Sequence, residues 1–85
     1  MRVETYRAFD RQYKALPEAI KNLTLEKVAI YCDDPSHPSL RVKRVRGTRD
    51  IWELSVTMNH RVTFEIGEEI MILRRIGTHD VLRNP

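Results

Sequence analysis

The spacing of hydrophobic positions changes once along this chain, near residue 40. Before that point Tyr6, Phe9, Tyr13 and Leu16 recur every three or four residues, which predicts an amphipathic helix. Pro17 suits the first turn of a second helix, where its missing N–H would have no intrahelical partner anyway. Along that helix Ile20, Leu23, Val28 and Tyr31 form an apolar stripe. Leu25 and Ala29 fall off the stripe and are expected to be partly buried against neighbouring elements, with a docking face for a partner helix as the other reading. Pro35 and Pro38 then end the helix within Asp33–Ser39, because neither can continue it and each biases its predecessor toward extended geometry.

From Leu40 onward the period is two. Leu40 and Val42 alternate with Arg41 and Lys43; Trp52, Leu54 and Val56 with Glu53, Ser55 and Thr57; Val62, Phe64 and Ile66 with Arg61, Thr63 and Glu65; Ile70, Ile72 and Ile76 with Met71, Leu73 and Arg75. These read as four strands joined by short links at residues 46–50, 58–60 and 67–69, and short links favour antiparallel neighbours. The predicted fold is α+β, one domain over residues 1–85, with two N-terminal helices packed on a four-stranded antiparallel sheet. Trp52, Tyr6 and Tyr13 are expected in the core. Parity places Lys43, Glu53, Ser55, Arg61, Thr63 and Arg75 on the face away from the helices, together with Met71 and Leu73. Continued past Gly77, it places His79 there too.

Composition narrows the class. The chain has 85 residues, 41% hydrophobic and 32% charged, with a formal net charge of +3. Its single Cys32 can form no internal disulfide, which suggests a reducing compartment. The charged opening Met1-Arg2-Val3-Glu4 gives no sign of a signal peptide, and no apolar run approaches membrane-spanning length. A cytoplasmic location without membrane association is expected. The charge is clustered: Arg41, Lys43, Arg44, Arg46 and Arg49 face one acid, Asp50, in ten residues. Such density suits a polyanion or an acidic protein segment, and equally a solvated strand edge protected from aggregation. His37 reads as a loop residue, and without a nearby Cys or a suitably spaced second His no metal site is expected.

Three stretches, Asp-Pro-Ser-His-Pro-Ser-Leu-Arg-Val-Lys-Arg-Val-Arg-Gly at 34–47, Arg-Val-Thr-Phe-Glu-Ile at 61–66 and Ile-Gly-Thr-His-Asp-Val-Leu at 76–82, together with the helix, Leu-Pro, helix opening, resemble the RelE/ParE toxin superfamily. The His-Asp ending is similar to its YafQ-like branch. The resemblance implies the toxin of a toxin–antitoxin pair. In the RelE and YafQ branches that toxin is a ribosome-dependent endonuclease cutting mRNA in the A site, without metal or other cofactor. It also implies a cognate antitoxin, which the basic cluster suggests will bring an acidic, partly disordered segment. Arg61 falls where RelE-like toxins place a phosphate-binding arginine, and His79 on the C-terminal histidine of YafQ-like toxins. Lys43 falls near another YafQ active-site histidine. The chain departs from RelE in carrying Glu53 and Ser55 where that branch has two lysines, and from YafQ in carrying His60 at an aspartate position.

The chemistry makes the same assignment in outline. Cleaving RNA through its own 2′-hydroxyl needs a base for that proton, cations around the phosphorane and an acid at the 5′-oxygen. Imidazoles transfer protons near neutral pH, so His79 is the expected acid or base. The Arg61 fork matches phosphate oxygens. Arg41, Lys43, Arg44 and Arg75 add RNA- or phosphate-binding charge, and Glu53 and His60 are possible auxiliaries. Arg61 and His79 are both expected at the surface. Two other readings stay open: a non-enzymatic ParE-like toxin that inhibits DNA gyrase, and a degenerate member that only binds its antitoxin.

Overall fold

A computed structural model describes residues 1–85. Strand β1 (Arg2–Thr5) leads into helix α1 (Arg7–Lys14) and helix α2 (Glu18–Asp33), then a 3-10 turn at Pro38–Leu40. Strands β2 (Lys43–Arg44), β3 (Trp52–Ser55), β4 (Arg61–Gly67) and β5 (Ile70–Gly77) follow, and a short helix α3 (Asp80–Arg83) closes the chain. The α+β class is as expected, but the sheet has five strands in the order β1-β5-β4-β3-β2. The extra strand, β1, pairs in parallel with β5, so the sheet is mixed rather than wholly antiparallel. Its Arg-Val-Glu-Thr sequence is exposed throughout and carries no apolar alternation that could announce it. The expected basic strand from Leu40 shrinks to two residues, because Leu40 closes the 3-10 turn and Arg41 takes a left-handed conformation.

The helices cover one face of the sheet. Phe9 of α1 and Val28 and Tyr31 of α2 join Leu54, Val56, Val62, Phe64, Met71 and Ile76 in one core, with Tyr31 edge-on to Phe64 at 5.0 Å. Thr24, wholly buried in α2, returns its hydroxyl to the Ile20 carbonyl at 2.7 Å, which lets a polar residue sit in that interface. Tyr13 and Trp52 pack against the core as expected. Leu25, 57% exposed, and Ala29 remain at the surface, because the neighbouring elements do not reach that side of α2.

The last strand departs from simple alternation. Thr63 pairs with Arg75 while the next residue, Phe64, pairs with Leu73, so Arg74 is an extra residue in β5. This bulge reverses parity along the strand. Met71 and Leu73, expected on the outer face, lie in the core at 0% and 4% exposure, while Ile72 sits beside the outer residue Glu65. Ile76, beyond the bulge, is in the core as expected.

α3 and the residues after it lie over the outer face. Val81 is buried against Gly77, whose Cα leaves no room for a side chain: a Cβ there would approach Val81 to 2.9 Å. The Pro85 carbonyl accepts hydrogen bonds from Thr63 Oγ1 (3.1 Å) and Arg74 Nε (2.9 Å). Tyr6, expected in the core, belongs to this corner instead. Its hydroxyl donates to Glu65 (2.7 Å) and receives Arg74 Nη1 (2.8 Å), while Arg74 also contacts Glu65 directly. The hydrogen bond from Tyr6 holds the Glu65 carboxyl below the usual carboxylate range, with Arg74 acting in the same direction. The same bond pushes the Tyr6 hydroxyl up. No helix is long and apolar enough to cross a membrane.

Candidate functional site

Strand register assembles the outer face from residues distant in sequence. Lys43 pairs with Glu53, Glu53 with Thr63 and Thr63 with Arg75, forming one polar row across four strands. The next row joins Ser55, Arg61 and Gly77, and two residues past Gly77 the chain reaches His79. The expected face is therefore present for Lys43, Glu53, Ser55, Arg61, Thr63 and Arg75.

Arg61 is more deeply held than a surface arginine, with its side chain 16% exposed. The β3–β4 connection at residues 56–60 turns back tightly, leaving carbonyls that point inward. Nη1 donates to three of them, on Thr57 (2.8 Å), Met58 (2.9 Å) and His60 (3.1 Å). Nε lies 3.6 Å from a carboxylate oxygen of buried Glu53. Nη2 makes no hydrogen bond within the chain and keeps two donors for another acceptor. The same side chain thus fixes the hairpin and leaves Nη2 without a partner in the chain.

Glu53 is 4% exposed, a position carboxylates rarely occupy without a cation, and Arg61 is that cation. His60 is turned into the hairpin: its Nδ1 meets Thr57 Oγ1 at 3.0 Å, and Thr57 Oγ1 also accepts from the His60 backbone N–H at 3.1 Å. His60 is therefore a turn residue. His79 is exposed and makes no side-chain hydrogen bond as the N-cap of α3, an element the sequence reading did not anticipate.

The basic side chains are distributed over three clefts. Lys43, Arg44 and Arg46 line one of about 420 Å³ with Glu53 and Leu82 of α3. Arg75 lines a second, of about 400 Å³, with Arg11, Gln12 and Asp80. Arg41 and Arg61 share the third, of about 260 Å³, with Ser39, Ser55, Thr57 and Met58. Arg44 differs from its strand neighbour Lys43, since it pairs with Trp52 and holds its guanidinium 5.5 Å from that ring's centre. Sequence reasoning missed Ser39 and Met58 at the third cleft and Arg74 at the bulge. No group of three or more His, Cys, Asp or Glu side chains is arranged to hold a metal ion.

No family model and no curated protein matches this sequence. Solved structures do match its fold. YafQ from E. coli strain BL21(DE3) is 14% identical over 96% of this chain and 98% of its own, with a TM-score of 0.79. YoeB from Staphylococcus aureus, solved as a dimer, is 7% identical over 93% and 97% with a TM-score of 0.81. In the RelB–RelE antitoxin–toxin complex from Methanococcus jannaschii the matching chain is 16% identical over 95% of both chains, with a TM-score of 0.75. This chain shares its fold with chains solved as RelE, YafQ and YoeB.

Proposed function

We propose that this protein is the toxin of a toxin–antitoxin pair and cleaves mRNA in the ribosomal A site. The observation that carries this reading is the register that sets Arg61 opposite Gly77, so that a guanidinium with free donors and the exposed His79, two residues past Gly77, follow from adjacent strand ends. In this reading Arg61 Nη2 binds a non-bridging phosphate oxygen and stabilises the phosphorane as charge develops. His79 takes the proton of the 2′-hydroxyl or supplies one to the departing 5′-oxygen, and water carries the other transfer. The 2′-oxygen bonds to phosphorus, the bond to the 5′-oxygen breaks, and a 2′,3′-cyclic phosphate remains. Glu53, buried against Arg61, sets the angle of the guanidinium. Lys43 and Arg41 add positive potential on either side.

The same basic surface suits an antitoxin. An acidic segment that folds on binding would cover the clefts of Lys43 and Arg41, with opposite charge speeding encounter. The toxin reading is supported by the fold shared with chains solved as RelE, YafQ and YoeB. Induced expression tests it in one culture: growth arrest should coincide with new mRNA 5′ ends inside translated codons, and co-expression with the product of the adjacent reading frame should relieve both. Arrest without mRNA cuts would transfer the assignment to a ParE-like inhibitor of gyrase, and no arrest at all would leave an antitoxin-binding remnant.

A further inference from the structure

His79 moves a proton in the proposed reaction, yet its own side chain has nothing to hold it. The imidazole is exposed and makes no side-chain hydrogen bond at the start of α3. A proton-transfer group must lie within hydrogen-bonding reach of the atom it serves, and a misplacement of about 1 Å can cost about 10²-fold in rate. The position of His79 is therefore set by the backbone that carries it. That backbone is one short turn, closed by the Val81 N–H on the Thr78 carbonyl (3.1 Å) and the Leu82 N–H on the His79 carbonyl (3.0 Å). A turn of this length has no stability of its own.

Two holds pin the turn to the sheet, one at each end. Near its start, Val81 is buried against Gly77. Past its end, the Pro85 carbonyl accepts from Thr63 Oγ1 (3.1 Å) and Arg74 Nε (2.9 Å). Thr63 is wholly buried, and this is its only side-chain hydrogen bond. Arg74 reaches Pro85 because the bulge in β5 gives it the face of Arg75 and Glu65, where unbroken alternation would turn it toward the helices. Its Nη1 is engaged by Tyr6 and Glu65, and its guanidinium lies 4.7 Å from the centre of the Tyr6 ring, so Nε is offered from a fixed group. Toward α1 the turn has no comparable hold: Asp80 shares a cleft with Arg11 and Arg75 but forms no ion pair with either.

We propose that Arg74 is a positioning residue for His79: with Thr63 it holds the Pro85 carbonyl and so fixes the turn that carries the imidazole. This rests on the reading of His79 as the proton-transfer group and adds the residues that keep it in place. Neither Arg74 nor Thr63 needs to touch RNA. Two substitutions loosen the hold with little other change. Arg74→Lys keeps a cation beside Glu65 and Tyr6 but loses Nε, and Thr63→Val keeps the shape but loses the hydroxyl.

Amide hydrogen exchange and single-turnover cleavage on programmed ribosomes, both with the full chain, test the hold. In each variant the Val81 and Leu82 amides should exchange about five- to tenfold faster, as loss of one hydrogen bond allows, while those of β3 keep wild-type protection. Cleavage at saturating ribosome concentration should slow by about 10- to 10²-fold with half-saturation unchanged, because binding does not use the group that moves. In the His79→Ala background the same substitutions should leave the residual rate unchanged, which a general loss of stability would not do. Unchanged exchange at Val81 and Leu82 in both variants, or a rate loss that persists in full without His79, would overturn the positioning role. The two readings fail separately. Faster exchange in the variants of a chain whose wild type cuts no mRNA would keep the hold and reject the nuclease. Wild-type cleavage with undisturbed exchange in both variants would do the reverse.

Discussion

The two faces of the sheet are built from the same strands but obey different rules. On the helix-covered face, burial decides: Leu54, Val62, Phe64, Met71 and Ile76 are all at most 1% exposed and no charge is present among the core residues. On the outer face, hydrogen bonds decide, through arginines that each tie several elements together. Arg74 joins Tyr6, Glu65 and Pro85, and its charge is matched by a carboxylate in direct contact. Arg61 is held by three neutral carbonyls and by buried Glu53 at 3.6 Å, and shares its cleft with a second arginine. The difference is instructive: Arg74 closes a structural corner, whereas Arg61 is anchored through Nη1 and Nε and keeps its Nη2 donors without a partner in the chain.

The sharpest contrast comes from emptying the inner face. Phe64→Ala removes a ring buried to 0% at the centre of the core and should cost about 3–5 kcal/mol, measured by chemical denaturation. A variant that melts with the wild type would show that the helices do not depend on this face.

Arg61→Ala comes next and crosses the boundary between structure and chemistry. It frees three hairpin carbonyls and strips buried Glu53 of its cation, so about 3 kcal/mol of stability should be lost along with activity. This differs from the surface role expected from sequence, and it means that activity loss in Arg61→Ala alone identifies no catalytic group. Arg61→Lys, which keeps the charge but not the fork, should recover part of the stability and little of the cleavage.

Glu65→Gln probes the corner at Arg74. Because Tyr6 and Arg74 depress the folded-state pKa of Glu65, its contribution is fully present above the ordinary glutamate value of 4.5 and is lost as pH falls through and below it. The variant should lose about 1 kcal/mol near neutral pH and show a flatter decline in stability below pH 4.5. An unchanged acid limb would remove Glu65 from the network.

How much of this was legible in sequence follows the same division. Period-two alternation identified the outer row of Lys43, Glu53, Thr63 and Arg75 because side-chain parity is fixed by the pleat until something interrupts it. The interruption at Arg74 had no local signal, so Met71 and Leu73 were assigned to the wrong face. Strand β1 was hidden because a parallel edge strand exposed on both sides needs backbone pairing rather than apolar residues. The apolar residues of α3, Val81 and Leu82, gave too short a run to show a helix, and the tertiary bonds to Pro85 had no sequence signature at all. For the site, the residue types of Arg61 and His79 were visible, but the burial of Arg61 and the exposure of Met58 depend on the hairpin's three-dimensional turn.

His79 separates chemistry from stability most cleanly, since its exposed side chain makes no contact that the fold requires. The decisive measurement is single-turnover cleavage of mRNA on programmed ribosomes by purified wild type and His79→Ala, with melting curves recorded on the same samples. The wild type should cut within the A-site codon, the variant should be slower by about 10²–10⁴-fold, and their stabilities should agree within about 0.5 kcal/mol. Equal cleavage rates from the two proteins would contradict it.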